Sequence, residues 1–218
     1  MMLFNVYRRL LRFAFRLLYN EMAFTYDAVS WIVSLGEWRA WQRAALAHLN
    51  VPSGGRVLEL AHGTANLQID LHTAGYDAIG CDLSPAMGRI ARRKLRRVGI
   101  APRLVRVYAQ ALPFRAEQFA ALVCTFPTEF IVDPATIAEA YRVLAPGGRL
   151  VFVPGGSLIG RSVAKSTIDA AYRVTGQRDA WPSHIMARFE TAGFALTQIA
   201  QPCKMSVAYV VIAQKPDA

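Results

Sequence analysis

The spacing of apolar residues changes several times along the chain, and each change predicts an element. Residues 3–19 place Leu, Phe and Val at helical spacing with arginines between them. Residues 27–50 read as one or two further helices, with Gly36 as the break. From residue 56 onward, short apolar runs alternate with longer amphipathic stretches. Strands are expected over 56–60, 77–82, 103–108, 119–125 and 149–154, and helices over 65–75, 85–98 and 134–144. This alternation predicts an α/β fold, a parallel sheet with helices on both faces. Residues 155–160 read as a Gly-rich loop, and 161–175 and 181–192 as helices, the second opened by Trp181-Pro182. The chain closes with two strands, over 194–200 and 205–213, joined by a turn at Gln201-Pro202.

Two segments carry candidate chemistry. In the first, the apolar run Val57 to Leu60 meets a turn of small residues, Ala61-His62-Gly63-Thr64-Ala65, and helix-compatible sequence follows. In the second, the run Ile79-Gly80-Cys81 ends in Asp82, 19 residues after Gly63. A glycine turn followed by an acid about 20 residues later, at a strand end, is the nucleotide-ribose arrangement of Rossmann-like folds. Small residues let the backbone approach a ligand, and helix N-terminal amides favour a negative group. Asp82 is the first candidate for such a ribose ligand; the lesser alternative is an N-terminal acid for the helix over 85–98.

With these residues in view, the chain resembles the class I S-adenosylmethionine-dependent methyltransferases, in particular the branch acting on small molecules such as quinone precursors. That family's acid-x-Gly-x-Gly-x-Gly motif stands here as Glu59 to Ala65, with only the middle glycine, Gly63, retained. Gly80 to Met87 matches the second motif, and Ala109-Gln110-Ala111-Leu112-Pro113-Phe114 the third. Leu144-Ala145-Pro146-Gly147-Gly148 matches the segment before strand five. Tyr108 and Ala120 stand where the family often has acids. The resemblance implies a Rossmann-like doubly wound, mostly parallel seven-stranded sheet, with N-terminal helices and a C-terminal antiparallel strand pair. Residues 1–50 would form a helical extension or cap and 51–218 the methyltransferase domain.

It also implies a cofactor, S-adenosylmethionine, held by Glu59, Ala61, His62, Gly63, Ala65, Asp82, Leu83, Ala109, Gln110, Ala111 and Tyr26. Asp82 would take the ribose and Glu59 the methionine amino group; the other reading of Glu59 is a strand acid paired with an arginine. Ala61 and Ala65 reach positive φ less readily than glycine. The acceptor would lie at Thr125 to Glu129, with Glu129 and His62 as candidate general bases. In-line transfer from an activated donor is accelerated largely by positioning, so no base is required.

The chain has 218 residues, of which 54% are hydrophobic and 18% charged. The apolar surplus must enter a covered sheet, an interface or a membrane surface. The three cysteines suit buried thiols in a reducing cytoplasm, and no His, Asp or Glu cluster has metal-site spacing. No apolar run is long enough to cross a bilayer, and no signal peptide is read. The formal net charge of +10 suits an anionic partner. Arg89, Arg92, Arg93, Arg96 and Arg97 share one helix face, either solvated or RNA-contacting. Arg8, Arg9, Arg12 and Arg16 make residues 3–19 a basic amphipathic helix suited to a membrane surface, the domain or a second subunit as a homodimer. The expectation is a cytoplasmic enzyme, peripheral to a membrane through residues 1–19, methylating a small apolar acceptor. A cofactor-binding protein without catalysis and an RNA methyltransferase are the rivals.

Overall fold

Alternate residues of the central strands enter two different cores. Leu58 and Leu60, Leu122 and Cys124, and Leu150 and Phe152 pack into one; Val57, Ala121 and Val123, and Val151 and Val153 pack into the other. A strand buried on both faces reads as a near-continuous apolar run, as Ala121–Cys124 does and as Val57–Leu60 does apart from the buried Glu59. The computed structural model describes residues 25–159 and 183–217. The helices expected over 3–19 and 161–175 therefore lie outside the described residues.

Two helices come first, α1 (Tyr26–Val33) and α2 (Trp38–Ala44), followed by a 3₁₀ turn at Leu46–His48. The break at Gly36 has a positive φ of 86°. The alternating unit then runs β1 (Arg56–Leu60), α3 (Asn66–Thr73), β2 (Asp77–Asp82), α4 (Pro85–Arg97), β3 (Leu104–Arg106) and β4 (Phe119–Thr125). It continues through a 3₁₀ turn (Glu129–Val132), α5 (Pro134–Val143), β5 (Leu144–Leu158), α6 (Ser183–Thr191), β6 (Ala195–Pro202) and β7 (Ser206–Gln214). The seven strands are ordered β3-β2-β1-β4-β5-β7-β6. Strands β1 to β5 pair in parallel, and β7 is antiparallel to both β5 and β6. The order reverses between β1 and β4, and ligands bind beyond the strand ends at such a switch point.

Helices α4 and α5 begin alike. Ser84 Oγ accepts the Met87 N–H at 3.2 Å and Asp133 Oδ1 accepts the Ala135 N–H at 3.0 Å, each with proline at the first helical position.

Two expectations are corrected. The Gly-rich stretch after 154 is strand: β5 continues past a register irregularity, pairing Gly155 with Tyr209 and Gly156 with Ala208. The glycine is needed there because a Cβ at Gly156 would fall 2.5 Å from the Trp41 ring, which lies across the strand. The final turn also falls later than Gln201-Pro202. Strand β6 runs through Pro202, and the Cys203 N–H donates to the Ser206 carbonyl at 2.8 Å to close the hairpin.

Candidate cofactor and acceptor site

The turn after β1 holds three residues in the left-handed region: Ala61 at φ 56°, Gly63 at 52° and Ala65 at 67°. The alanines thus adopt the backbone that glycine favours, at about 1–2 kcal/mol each. What holds them is visible. The Gly63 N–H donates to Asp82 Oδ2 at 2.9 Å, and the Ser84 N–H donates to Asp82 Oδ1 at 2.7 Å. The His62 N–H donates to the Cys81 carbonyl at 3.1 Å, and the Ala65 N–H to the His62 carbonyl at 2.9 Å. One carboxylate at the end of β2 therefore ties the turn to the start of α4. Each of its oxygens keeps lone pairs for a further donor.

A second network closes over the turn from α1. Asp27 Oδ1 accepts from Thr64 Oγ1 at 2.7 Å and from Asn66 Nδ2 at 2.9 Å, while Lys94 Nζ donates to Asp27 Oδ2 at 2.6 Å. Lys94 also reaches Asn66 Oδ1 at 2.7 Å. Burial pushes the Asp27 carboxyl up, but the bonds from Lys94, Thr64 and Asn66 outweigh it and hold the group below its ordinary value. Its neighbour Tyr26 packs edge-on against Trp38, with centroids 6.2 Å apart, and against Met87. The sequence pointed to Tyr26 here, and its neighbour Asp27 makes the hydrogen bonds to the turn.

Glu59 points into the core on the α3 side, 2% exposed, and takes the Gln68 amide at 2.8 Å. Its partner is thus an amide and not an arginine. Burial raises its pKa from 4.5 to about 8, with the Gln68 hydrogen bond opposing and Asp82 reinforcing the shift. His62 is buried too, and burial lowers its pKa. Its Nδ1 lies 2.9 Å from the Gly63 carbonyl, which can only accept, so the proton sits on Nδ1.

Beside Asp82, Leu83 is 45% exposed, and Tyr108, at the end of β3, is 62% exposed. Ala109, Gln110 and Ala111 follow in a turn closed by the Ala111 N–H to the Tyr108 carbonyl. Gln110 Nε2 donates to Asp133 Oδ2 at 3.0 Å, and Glu139 takes the Leu112 N–H at 2.7 Å, which anchors this loop to α5. A Cβ built on Gly63 meets nothing within 4 Å among the described residues, so the turn has open space at that point. An acid, a bare backbone turn and exposed apolar surface on either side of the acid fit an adenosyl group.

The other side of the switch point is aromatic. Phe126, just past β4, has φ 53° and donates its N–H to the Val153 carbonyl at 2.7 Å. Trp38 stacks on it at 3.5 Å and 21°. The Trp38 Nε1–H is buried without a partner among the described residues. Trp41, fully buried, donates Nε1–H to Ser206 Oγ at 2.8 Å, and that hydroxyl donates to Glu37. Glu129 opens the 3₁₀ turn beyond Pro127 and is exposed. The two candidate bases are therefore separated, His62 in the β1 turn and Glu129 past β4. Trp38 was missed because its spacing with Trp41 is ordinary for a core helix.

No group of three or more His, Cys, Asp or Glu among the described residues could hold a metal ion. No helix among them is long and apolar enough to cross a membrane.

The sheet order, the crossover helices and the acid-braced turn define a Rossmann-like methyltransferase fold. The same fold is seen in the YcgJ protein from Bacillus subtilis, with TM-score 0.63 and 15% identity over 82% of this chain and 99% of that one. A geranyl diphosphate C-methyltransferase from Streptomyces coelicolor shares it, with TM-score 0.63 and 14% identity over 81% and 78%. A family model matches residues 13–187, and the chain belongs to the ubiE/COQ5 methyltransferase family. The demethylmenaquinone methyltransferase of Thermus thermophilus is 36% identical over 137 residues, 62% of this chain and 62% of the relative. That of Beutenbergia cavernae is 39% identical over 136 residues, 62% and 55%. The matched stretch spans less than two thirds of these relatives' own length.

Proposed function

We propose that the chain transfers a methyl group from S-adenosylmethionine to a small, apolar acceptor of the quinone-precursor type. The observation that carries this is the Asp82 carboxylate bonded to the Gly63 N–H, which joins the acid and the small-residue turn into one adenosyl cradle. The cofactor brings a methyl already activated on a sulfonium, so the chain's task is to bind, orient and exclude water. Asp82 accepts from the ribose hydroxyls with its remaining lone pairs. Leu83, Tyr108 and Ala109 to Ala111 flank the base. Glu59, behind the turn, meets the amino end, and Asp27 holds Thr64 and Asn66 in place. Tyr26 acts through its packing on Trp38. The acceptor lies against Phe126 and Trp38, and the Trp38 indole N–H, without a partner among the described residues, suits a carbonyl or hydroxyl oxygen, with Glu129 at the rim as a base. The relatives' printed name, demethylmenaquinone methyltransferase, supports a ring of this kind.

Residues 1–50 serve in this reading as the helical cap over the site, and residues 1–19 as the contact that brings an apolar acceptor from a membrane surface. Deleting residues 1–19 would abolish vesicle binding and leave cofactor affinity unchanged; loss of cofactor binding would place that segment in the domain or in a homodimer interface instead.

The test is calorimetry with S-adenosylhomocysteine. Asp82→Ala removes charge-assisted hydrogen bonds to ribose and should weaken binding by about 1.5–3 kcal/mol. It also leaves the Gly63 and Ser84 N–H groups without their acceptor, so circular dichroism must accompany it. Unchanged affinity in a folded variant would refute the ribose assignment. No binding by the native chain at millimolar ligand would refute the activity.

A further inference from the structure

We propose that the chain carries a binding site for a small phosphate dianion in the cleft between α4 and β3, which borders the adenosyl cradle and shares His62, Asp82 and Ser84 with it. The proposal does not depend on the methyl-transfer reading. The cleft has a volume of about 230 Å³, and its charged and polar lining comprises His62, Asp82, Ser84, Arg89, Arg92 and Arg106. Its floor includes the apolar side chains of Leu104 and Val105, which strengthen an ionic contact by keeping water away.

The arginines come from two elements and converge. Arg92 folds back over the helix, its Nη1 3.4 Å from where a Cβ of Gly88 would stand. Arg106 is fixed by its Nε donating to the Leu83 carbonyl at 3.0 Å, and its terminal amino groups have no partner among the described residues. Arg89 and Arg92 form no ion pair among the described residues. Asp82 is the one carboxylate in the cleft, and it spends its charge on the Gly63 and Ser84 N–H groups. Three guanidinium groups against one carboxylate leave a surplus of two positive charges, and the buried His62 adds none when neutral. Arg93, Arg96 and Arg97 do not line the cleft, which sets Arg89 and Arg92 apart from a merely solvated helix face. Guanidinium forks match a tetrahedral oxyanion, and a dianion balances the surplus.

The experiment titrates inorganic phosphate and, separately, glycerol 3-phosphate into the full chain at constant ionic strength, read by calorimetry and thermal shift. Saturable binding and a raised melting temperature are expected for at least one of them, and the tighter of the two identifies the source as free phosphate or an ester. Arg92→Gln and Arg106→Gln should each weaken binding about tenfold, the scale of losing a charged hydrogen bond. Arg93→Gln/Arg96→Gln, outside the cleft, should leave it within about twofold, since exposed charges beyond it act only through a screened field. Binding no stronger than that of chloride, or equal weakening by the Arg93/Arg96 variant, would overturn the proposal. Circular dichroism confirms that each variant is folded, and the two single variants keep the test informative if one is not.

Discussion

The two halves of the strand-end site are built in opposite ways. On the β1–β2 side, each carboxylate gathers specific donors: Gly63 and Ser84 on Asp82, Thr64, Asn66 and Lys94 on Asp27, and Gln68 on Glu59. On the β4–β5 side, shape does the work. Trp38, Trp41 and Phe126 fill space against one another and against a glycine strand, and the Trp38 indole N–H has no partner among the described residues. A cofactor with fixed chemistry can be met by fixed hydrogen bonds. An apolar acceptor is met by surface, whose form depends on how distant helices pack.

The largest test of this contrast is on the aromatic side. Trp41→Ala deletes a fully buried indole and should lower unfolding free energy by about 3–5 kcal/mol in denaturant titration. A loss below about 1 kcal/mol would mean that the helices before β1 are not part of the core.

On the polar side, Glu59 makes stability depend on pH. Its folded pKa of about 8 lies above its ordinary 4.5. The folded state therefore holds a proton that the unfolded state has released, and stability falls as pH rises through that window. Melting temperature should decline from about pH 5 to pH 8, and Glu59→Gln should flatten the decline. A positively charged amino group arriving beside Glu59 would drive the proton off. Binding of S-adenosylhomocysteine near neutral pH should then release protons, measurable by calorimetry in buffers of different ionisation enthalpy.

Asp27→Ala breaks the strap over the turn and should cost about 1–2 kcal/mol, with the effect falling on S-adenosylhomocysteine affinity as well as on stability. If affinity is untouched, the strap only docks α1.

The smallest effect is expected from Ala61→Gly. Relief of left-handed strain, partly offset by the entropy of glycine, should stabilise the chain by about 0.5 kcal/mol. Destabilisation instead would show that the Ala61 methyl packs usefully in the core.

The same contrast explains what the amino-acid order revealed. Strands β1, β2 and β4 were readable because burial on both faces leaves short, near-continuous apolar runs, broken in β1 only by the buried Glu59. Asp82 was readable because strand, turn and crossover helix fix its distance from Gly63 along the chain. Asp27 was narrowly missed: the segment was marked, but a carboxylate's partners 37 to 67 residues away leave no local trace. Gly155 and Gly156 misled because glycine signals a loop unless a ring is known to lie across it, and that ring belongs to a helix more than a hundred residues earlier. The arginine cleft was hidden for a similar reason. Arg106 sits on a three-residue edge strand with no pattern linking it to α4.

The bond between Trp41 and Ser206 spans 165 residues, and that between Glu37 and Ser206 spans 169. Read in the order of synthesis, α2 leaves the ribosome long before the strand that receives it. Its tryptophans must wait through the making of the whole parallel sheet, and the closing step is among the most distant in the chain. Such late, long-range closure slows folding and leaves apolar surface uncovered in the meantime. A nascent chain stalled before β7 would therefore leave Trp41 without its Ser206 partner, although every strand of the parallel sheet had already been made.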